Sequence, residues 1–172
     1  IAAFSPQYRD AIYGIYGFVR IADEIVDTFN EFDQKQLMEN FRKETEAGLK
    51  TGISTNPVLQ AFIHTVKKYN INYNYIDAFL NSMEMDLTNS YYEPQQYNEY
   101  IYGSAEVVGL MCLQIFTGSD KMLFNDLVAP ARSLGSAFQK VNFLRDIKSD
   151  MEERERIYLP GVNHAIKIDD LH

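Results

Sequence analysis

Apolar residues recur at three- and four-residue steps through almost every stretch of this sequence, while alternating runs bounded by turn residues are scarce. A 3.6-residue period is what a helix with one buried stripe requires, so the pattern predicts an all-α chain. Punctuation residues set the elements. Ser5-Pro6 and Asn56-Pro57 each put a capping side chain before a proline, whose missing N–H costs nothing at the first helical position. Helices are expected to follow, to about Phe29 and about Tyr69. Asp33 caps a helix reaching about Lys50 and closed by Thr51-Gly52, and another runs from about Tyr73 to Asn89. Pro94 and Gly118 bracket a further helix. The last long one contains Pro130, which would kink it or mark its true start, and reaches about Met151. The polar stretch 152–156 then leads into a loop at 157–160.

Composition narrows the picture. With 172 residues, 46% of them hydrophobic and 13% aromatic, the chain can bury one sizeable core, and no repeat or linker divides it. One domain is expected. The formal net charge is -8 with no basic run, which excludes nucleic acid as a partner. The single cysteine, Cys112, can form no internal disulfide and reads as a small buried hydrophobe, which fits a reducing cytoplasm. No apolar run reads as long enough to span a bilayer, and the first ten residues lack the features of a secretory signal. The sequence opens on Ile1 without a methionine and stops at residues 169–172, where an aspartate before an apolar residue resembles a helix start. Both ends read as cut.

Two segments carry candidate chemistry. On the otherwise apolar segment 13–29, Asp27 lies one turn beyond Asp23 and about 40° around the helix, so both carboxylates share a stripe with Tyr16, Val19 and Arg20. Glu24 points elsewhere. In segment 139–150, Asn142, Asp146 and Asp150 repeat at four-residue spacing and form a second oxygen-bearing stripe. Hard oxygen ligands on two helices suit Mg²⁺, which keeps several waters and bridges a few carboxylates to phosphates. Solvated acidic helix faces are the alternative, and spacing alone does not decide between them.

The string YGFVRIADEIVD at 16–27 resembles the first aspartate-rich motif of the squalene/phytoene synthase family. GSAFQKVNFLRDIKSDMEERERIYLP at 135–160 resembles its second motif and the loop after it, and YIYGSAEVVGLM at 100–111 is similar to its central helix. The resemblance implies an all-α bundle of the isoprenoid synthase type around an apolar cavity, with both motifs at the mouth. It implies Mg²⁺ on Asp23, Asp27, Asn142, Asp146 and Asp150, with Mn²⁺ the alternative ion. Arg20 and Arg156 would hold diphosphate, Gln139 and Asn142 would face the substrate, and Tyr16 and Tyr100 would line the reaction centre. Arg20 could instead pair with Asp23 or Glu24, Tyr100 could be plain core, and Gln139 could only bond backbone.

Gly103, Gly109 and Gly135 leave room for a prenyl chain or allow close helix packing. Phe79, Met83 and Met85 line a tunnel or fill the core, His64 reads as structural, and Glu84 and Asp86 have no assigned role. Glu106 departs from the small residue many family members have. The family's N-terminal segment and C-terminal helices are not in the sequence.

The activity implied is Mg²⁺-dependent condensation of two geranylgeranyl diphosphates to phytoene, without NADPH. YGSAEVVGLMC resembles the bacterial phytoene synthases more than the squalene branch. Squalene or dehydrosqualene synthesis from farnesyl diphosphate is the runner-up, and a non-catalytic relative serving assembly or lipid binding is the reading from another class. A hydrocarbon product must leave for lipid, which leaves room for a peripheral membrane contact, although no amphipathic basic helix is visible. Oligomeric state is not legible.

Overall fold

The computed structural model of the chain describes residues 4–152 and 156–159. Pro160 and the expected helix start at 169–172 lie outside the described residues. The described residues form α1 (Pro6–Asp27), α2 (Gln34–Thr51), α3 (Pro57–Tyr69), α4 (Tyr73–Asp86), α5 (Pro94–Ile101), a π-helical turn (Tyr102–Glu106), α6 (Val107–Thr117) and α7 (Lys121–Glu152). The all-α expectation holds.

The caps act locally as their chemistry dictates. The Asp33 side chain accepts from the Gln36 N–H, and Asn56 accepts from Val58 and Leu59, satisfying donors that no helical carbonyl can reach. Gly52 ends α2 in the left-handed conformation at φ 89°, which its missing Cβ permits. Two helices end earlier than the pattern predicts. α1 stops at Asp27 rather than Phe29, and α4 at Asp86 rather than Asn89. In the segment after α4, Thr88 and Asn89 donate their N–H groups to the Met85 carbonyl in a tight turn.

α1 packs along α3 and against α6, and α4 packs against the π-helical turn. Their shared core is aromatic at its centre: Phe18 is fully buried and stacks on Phe62 with ring centroids 3.9 Å apart. Arg42 of α2 clamps α4, donating to Glu84 at 2.6 Å, Asp77 at 2.8 Å and Asn81 at 2.7 Å. That gives Glu84 a structural role.

A second cluster joins Tyr92, Tyr100, Phe143 and Tyr158, and fastens loop 156–159 against α5 and α7. Tyr158 stacks on Phe143 at 4.5 Å, and the Ile157 N–H donates to the Ser90 carbonyl at 2.9 Å.

Three expectations about the later helices change. α7 begins at Lys121 and runs through Pro130, so the proline does not mark its start. The stretch bracketed by Pro94 and Gly118 is continuous but widens into the π-helical turn, a form common at functional sites. That 24-residue run, Pro94–Thr117, contains an 18-residue window of mean hydropathy 1.2 and so is long and apolar enough to cross a membrane, against the sequence reading. Half of its most apolar window is buried among its neighbours, so here it serves as a core helix.

Candidate active site

Both acidic stripes open on one polar cavity of about 440 Å³. α1 supplies Arg20, Asp23 and Asp27; α7 supplies Gln139, Asn142, Asp146 and Asp150. α1 can do this because Phe18, Ala22 and Ile25, which lie about 100° or more around the helix from Asp23, are buried and fix its rotation. Arg20 pairs with Glu24 one turn on, as the sequence alternative allowed, and still borders the cavity. Asp146 accepts from its neighbour Arg145 at 2.7 and 2.5 Å.

The site is short of positive charge. Burial, and next the Asp27 carboxylate, push the Asp23 carboxyl up to about 7; Arg20 pulls the other way, and Asp86 and Glu24 add to the rise. Among the described residues no three His, Cys, Asp or Glu side chains form a ready-made metal cage. Oxygen donors spread over two facing helices instead fit Mg²⁺, which takes one or two carboxylates and completes its shell with water and phosphate. Asp23, Asp27, Asn142, Asp146 and Asp150 are the residues that could hold it.

Beside the polar cavity lies an apolar one of about 550 Å³, walled by Val108, Gly109 and Cys112 of α6 and by Leu134 and Phe138 of α7. Val19, Ser104 and Gln139 border both cavities, so a polar chamber and an apolar groove share one seam. The Ser104 hydroxyl, in the π-helical turn, is buried with no hydrogen-bond partner among the described residues. Cys112 is half-buried in the groove wall rather than in the core, and burial pushes its thiol up to about 11, so it is a wall residue and no nucleophile.

Residues 1–163 match the sequence profile described as Squalene/phytoene synthase. The chain belongs to the squalene/phytoene synthase family. It is 28% identical over 165 residues to a presqualene diphosphate synthase of Sinorhizobium fredii, covering 93% of this chain and 57% of that protein. It is 31% identical over 162 residues to a chloroplastic phytoene synthase of Daucus carota, covering 91% of this chain and 40% of that one. The chain thus spans about half the length of these relatives. Among solved structures it superposes on a dehydrosqualene synthase with a TM-score of 0.76 at 24% identity, covering 92% of this chain and 53% of that one. The squalene synthase HpnC of Alicyclobacillus acidocaldarius gives 0.75 at 23% identity, covering 88% of this chain and 55% of that one. Both likenesses are of fold.

Within this squalene/phytoene synthase scaffold, several predicted residues stand where the motifs imply and others do not. Tyr16 is 56% exposed and is not among the residues lining the polar cavity: it shares the Asp23 stripe but sits nearly two turns before it. Arg156 is buried rather than offered to an anion. Its guanidinium donates to Asp27 Oδ1 at 2.7 Å, to the Val26 carbonyl at 2.7 Å and to the Tyr158 hydroxyl at 3.4 Å. Tyr100 borders the cavity, but its hydroxyl donates to Asp86 Oδ2 at 2.7 Å, so the ring is what it presents.

Glycine roles resolve toward packing. A Cβ on Gly103 would stand 2.4 Å from the Ala78 carbonyl oxygen, and one on Gly135 would stand 2.9 Å from that of Ala105. Glu106, the departure from the family pattern, pairs with Arg132 of α7 at 2.7 Å. Met83 borders the polar cavity, Phe79 is core, Met85 packs on the second cluster, and His64 is exposed on α3.

Asp86 is the residue that sequence reasoning missed. It is buried, and it accepts hydroxyls from Tyr92 at 2.7 Å, Tyr100 at 2.7 Å and Tyr158 at 2.8 Å. Burial pushes its carboxyl up to about 6, against the opposing pull of Arg156 and the three hydroxyls. One signal was available: a carboxylate at the last position of an apolar helix sits at the negative end of the dipole and needs a partner.

Proposed function

We propose that this chain carries the catalytic centre of a head-to-head prenyl synthase that condenses two geranylgeranyl diphosphates into phytoene and releases both diphosphates. The observation that carries this is the seam at Val19, Ser104 and Gln139, where an acid-lined chamber meets an apolar groove. A prenyl diphosphate divides the same way, into a polyanionic head and a hydrocarbon tail. Acidic walls repel that head unless cations stand between, so Asp23, Asp27, Asn142, Asp146 and Asp150 are proposed to hold Mg²⁺, with Mn²⁺ as the alternative. Bound there, the metal would neutralise diphosphate and ease its departure.

The remaining work belongs to the side chains. Arg20, at the chamber edge, adds a cation for the head group, and Gln139 and Asn142 orient it. Loss of the first diphosphate leaves an allylic cation, which the second substrate's double bond attacks to form a cyclopropyl intermediate after proton loss. The Tyr100 ring can stabilise cationic carbon, and the apolar groove keeps water from capturing it. After the second diphosphate leaves, the rearranged cation loses a proton to give phytoene, so turnover needs no NADPH. A cytoplasmic setting, with product passing to membrane lipid, belongs to the same proposal.

The likeness to a presqualene diphosphate synthase favours a second reading, condensation of farnesyl diphosphate on the squalene branch. Incubating the intact protein with Mg²⁺ and labelled geranylgeranyl diphosphate, without NADPH, separates the two by product mass. Phytoene is expected. Turnover of farnesyl diphosphate alone moves the protein to the second reading, and no product from either substrate refutes both. Asp23→Asn and Asp146→Asn should each lower turnover by orders of magnitude with an unchanged circular dichroism spectrum.

A further inference from the structure

Arg156 stands between two carboxylates. One Nη1 atom lies 2.7 Å from Asp27 Oδ1 and 3.9 Å from Asp86 Oδ2, and Nη2 is held by the Val26 carbonyl at 2.7 Å. Both border the chamber: Asp27 is half-buried, while Asp86 is buried and fixed by three tyrosine hydroxyls. The formal charges of Asp27, Arg156 and Asp86 sum to one negative. With Asp86 neutral the sum would be zero, and the guanidinium would answer to Asp27 alone. A cation approaching Asp27 competes with Arg156 for the same oxygens, so whatever shares Arg156 sets how strongly Asp27 can bind a metal.

We propose that Asp86 is a positioning residue for cation binding: by sharing Arg156 with Asp27 it tethers the guanidinium inward and keeps the Asp27 side of the chamber net negative. This rests on the metal-dependent reading above and adds a buried residue of the chamber wall that acts through Arg156. The neutral isostere asparagine would keep one acceptor oxygen, enough for Tyr92 and Tyr158, replace the oxygen that accepts from Tyr100 with a donor, and lose the charge.

The test is direct Mn²⁺ binding to the intact protein, followed by electron paramagnetic resonance without substrate, beside the Mg²⁺ dependence of turnover. Asp86→Asn should weaken Mn²⁺ binding and raise the half-activating Mg²⁺ concentration by roughly tenfold or more, the scale of one unit charge acting over about 10 Å at an effective dielectric near 20. Tyr92→Phe removes one hydroxyl from Asp86 but no charge, so it should leave Mn²⁺ binding unchanged. Arg156→Gln frees Asp27 from its competitor and should tighten Mn²⁺ binding, an opposite sign that general damage to the loop would not give.

Unchanged Mn²⁺ binding in Asp86→Asn overturns the proposal, as does equal weakening in all three variants. Where Asp86→Asn loses its helical spectrum, the sign of the Arg156→Gln shift decides. Wild-type protein that turns over prenyl diphosphate but shows no Asp86 effect sinks this inference alone. Wild-type protein that binds no Mn²⁺ sinks the metal reading with it.

Discussion

Gly103→Ala adds one methyl group where the π-helical turn crosses α4. The new Cβ would lie 2.4 Å from the Ala78 carbonyl oxygen, 2.7 Å from Ser82 Cβ and 3.0 Å from Ser82 Oγ. Ordinary contact begins at 3.4 Å, so the turn and α4 must separate by about 1.0 Å (3.4 − 2.4), and the closest obstacle is backbone that cannot rotate away. Overpacking of this kind costs about 1–3 kcal/mol, and the backbone obstacle puts Gly103 at the upper end. The helix-propensity gain of alanine over glycine, about 1 kcal/mol, offsets part of it. A net loss of about 1–2 kcal/mol is expected.

Gly109→Ala is the internal control, since its nearest atom is the Ala131 carbonyl oxygen at 3.3 Å and only a slight adjustment is needed. Urea denaturation followed by far-ultraviolet circular dichroism should therefore lower the midpoint for Gly103→Ala and leave Gly109→Ala near or above wild type. Tyr100 and Ser104 flank Gly103 on the chamber wall, so turnover of Gly103→Ala should fall as well. A Gly103→Ala midpoint at or above that of wild type would refute the close-crossing argument.

Two further outcomes follow from the core and from the acidic chamber. Phe18→Ala removes a fully buried ring that stacks on Phe62 at 3.9 Å and meets Phe41 and Phe79 at 5.4 Å, and should cost about 3–5 kcal/mol, read as a lowered calorimetric Tm. Asp23 and Asp86 hold protons up to about 7 and about 6 in the folded chain because burial raises both, whereas the unfolded chain releases them near 4. The native state therefore binds more protons across that window, and metal-free stability should fall as pH rises from about 4 to about 7. Asp23→Asn should flatten this slope in EDTA, and an identical slope in the variant would show that Asp23 is not its source.

Much of the bundle was legible because local rules and global packing agree. Asn56-Pro57 and Asp33 cap where their side chains can reach free N–H groups, and the apolar face of α1 turns Asp23 and Asp27 toward α7 as the stripe geometry requires. What stayed hidden depends on contacts between distant segments. The π-helical turn at Tyr102–Glu106 has no local spelling; Gly103 sits under α4 and Glu106 pairs with Arg132, neither readable from periodicity. Arg156 read as an anion-binding loop residue because the loop at 156–160 resembles that of the family. Its real surroundings, Asp27 and Asp86, lie 129 and 70 positions earlier in the chain.

The distribution of charge is the strongest physical argument that the chamber is built for a ligand rather than for stability. Asp23 and Asp27, one turn apart, repel each other, and burial makes ionising Asp23 costly, so the folded metal-free chain is strained in charge at this one place. Other buried or half-buried acids have partners: Glu84 and Asp77 meet Arg42, Glu106 meets Arg132, and Asp86 meets three hydroxyls. Those acids are partnered, whereas burial and a like charge raise Asp23 to about 7 beside an apolar groove, a departure where function would require it. A divalent cation removes the repulsion, and a diphosphate then completes the neutralisation from the other side.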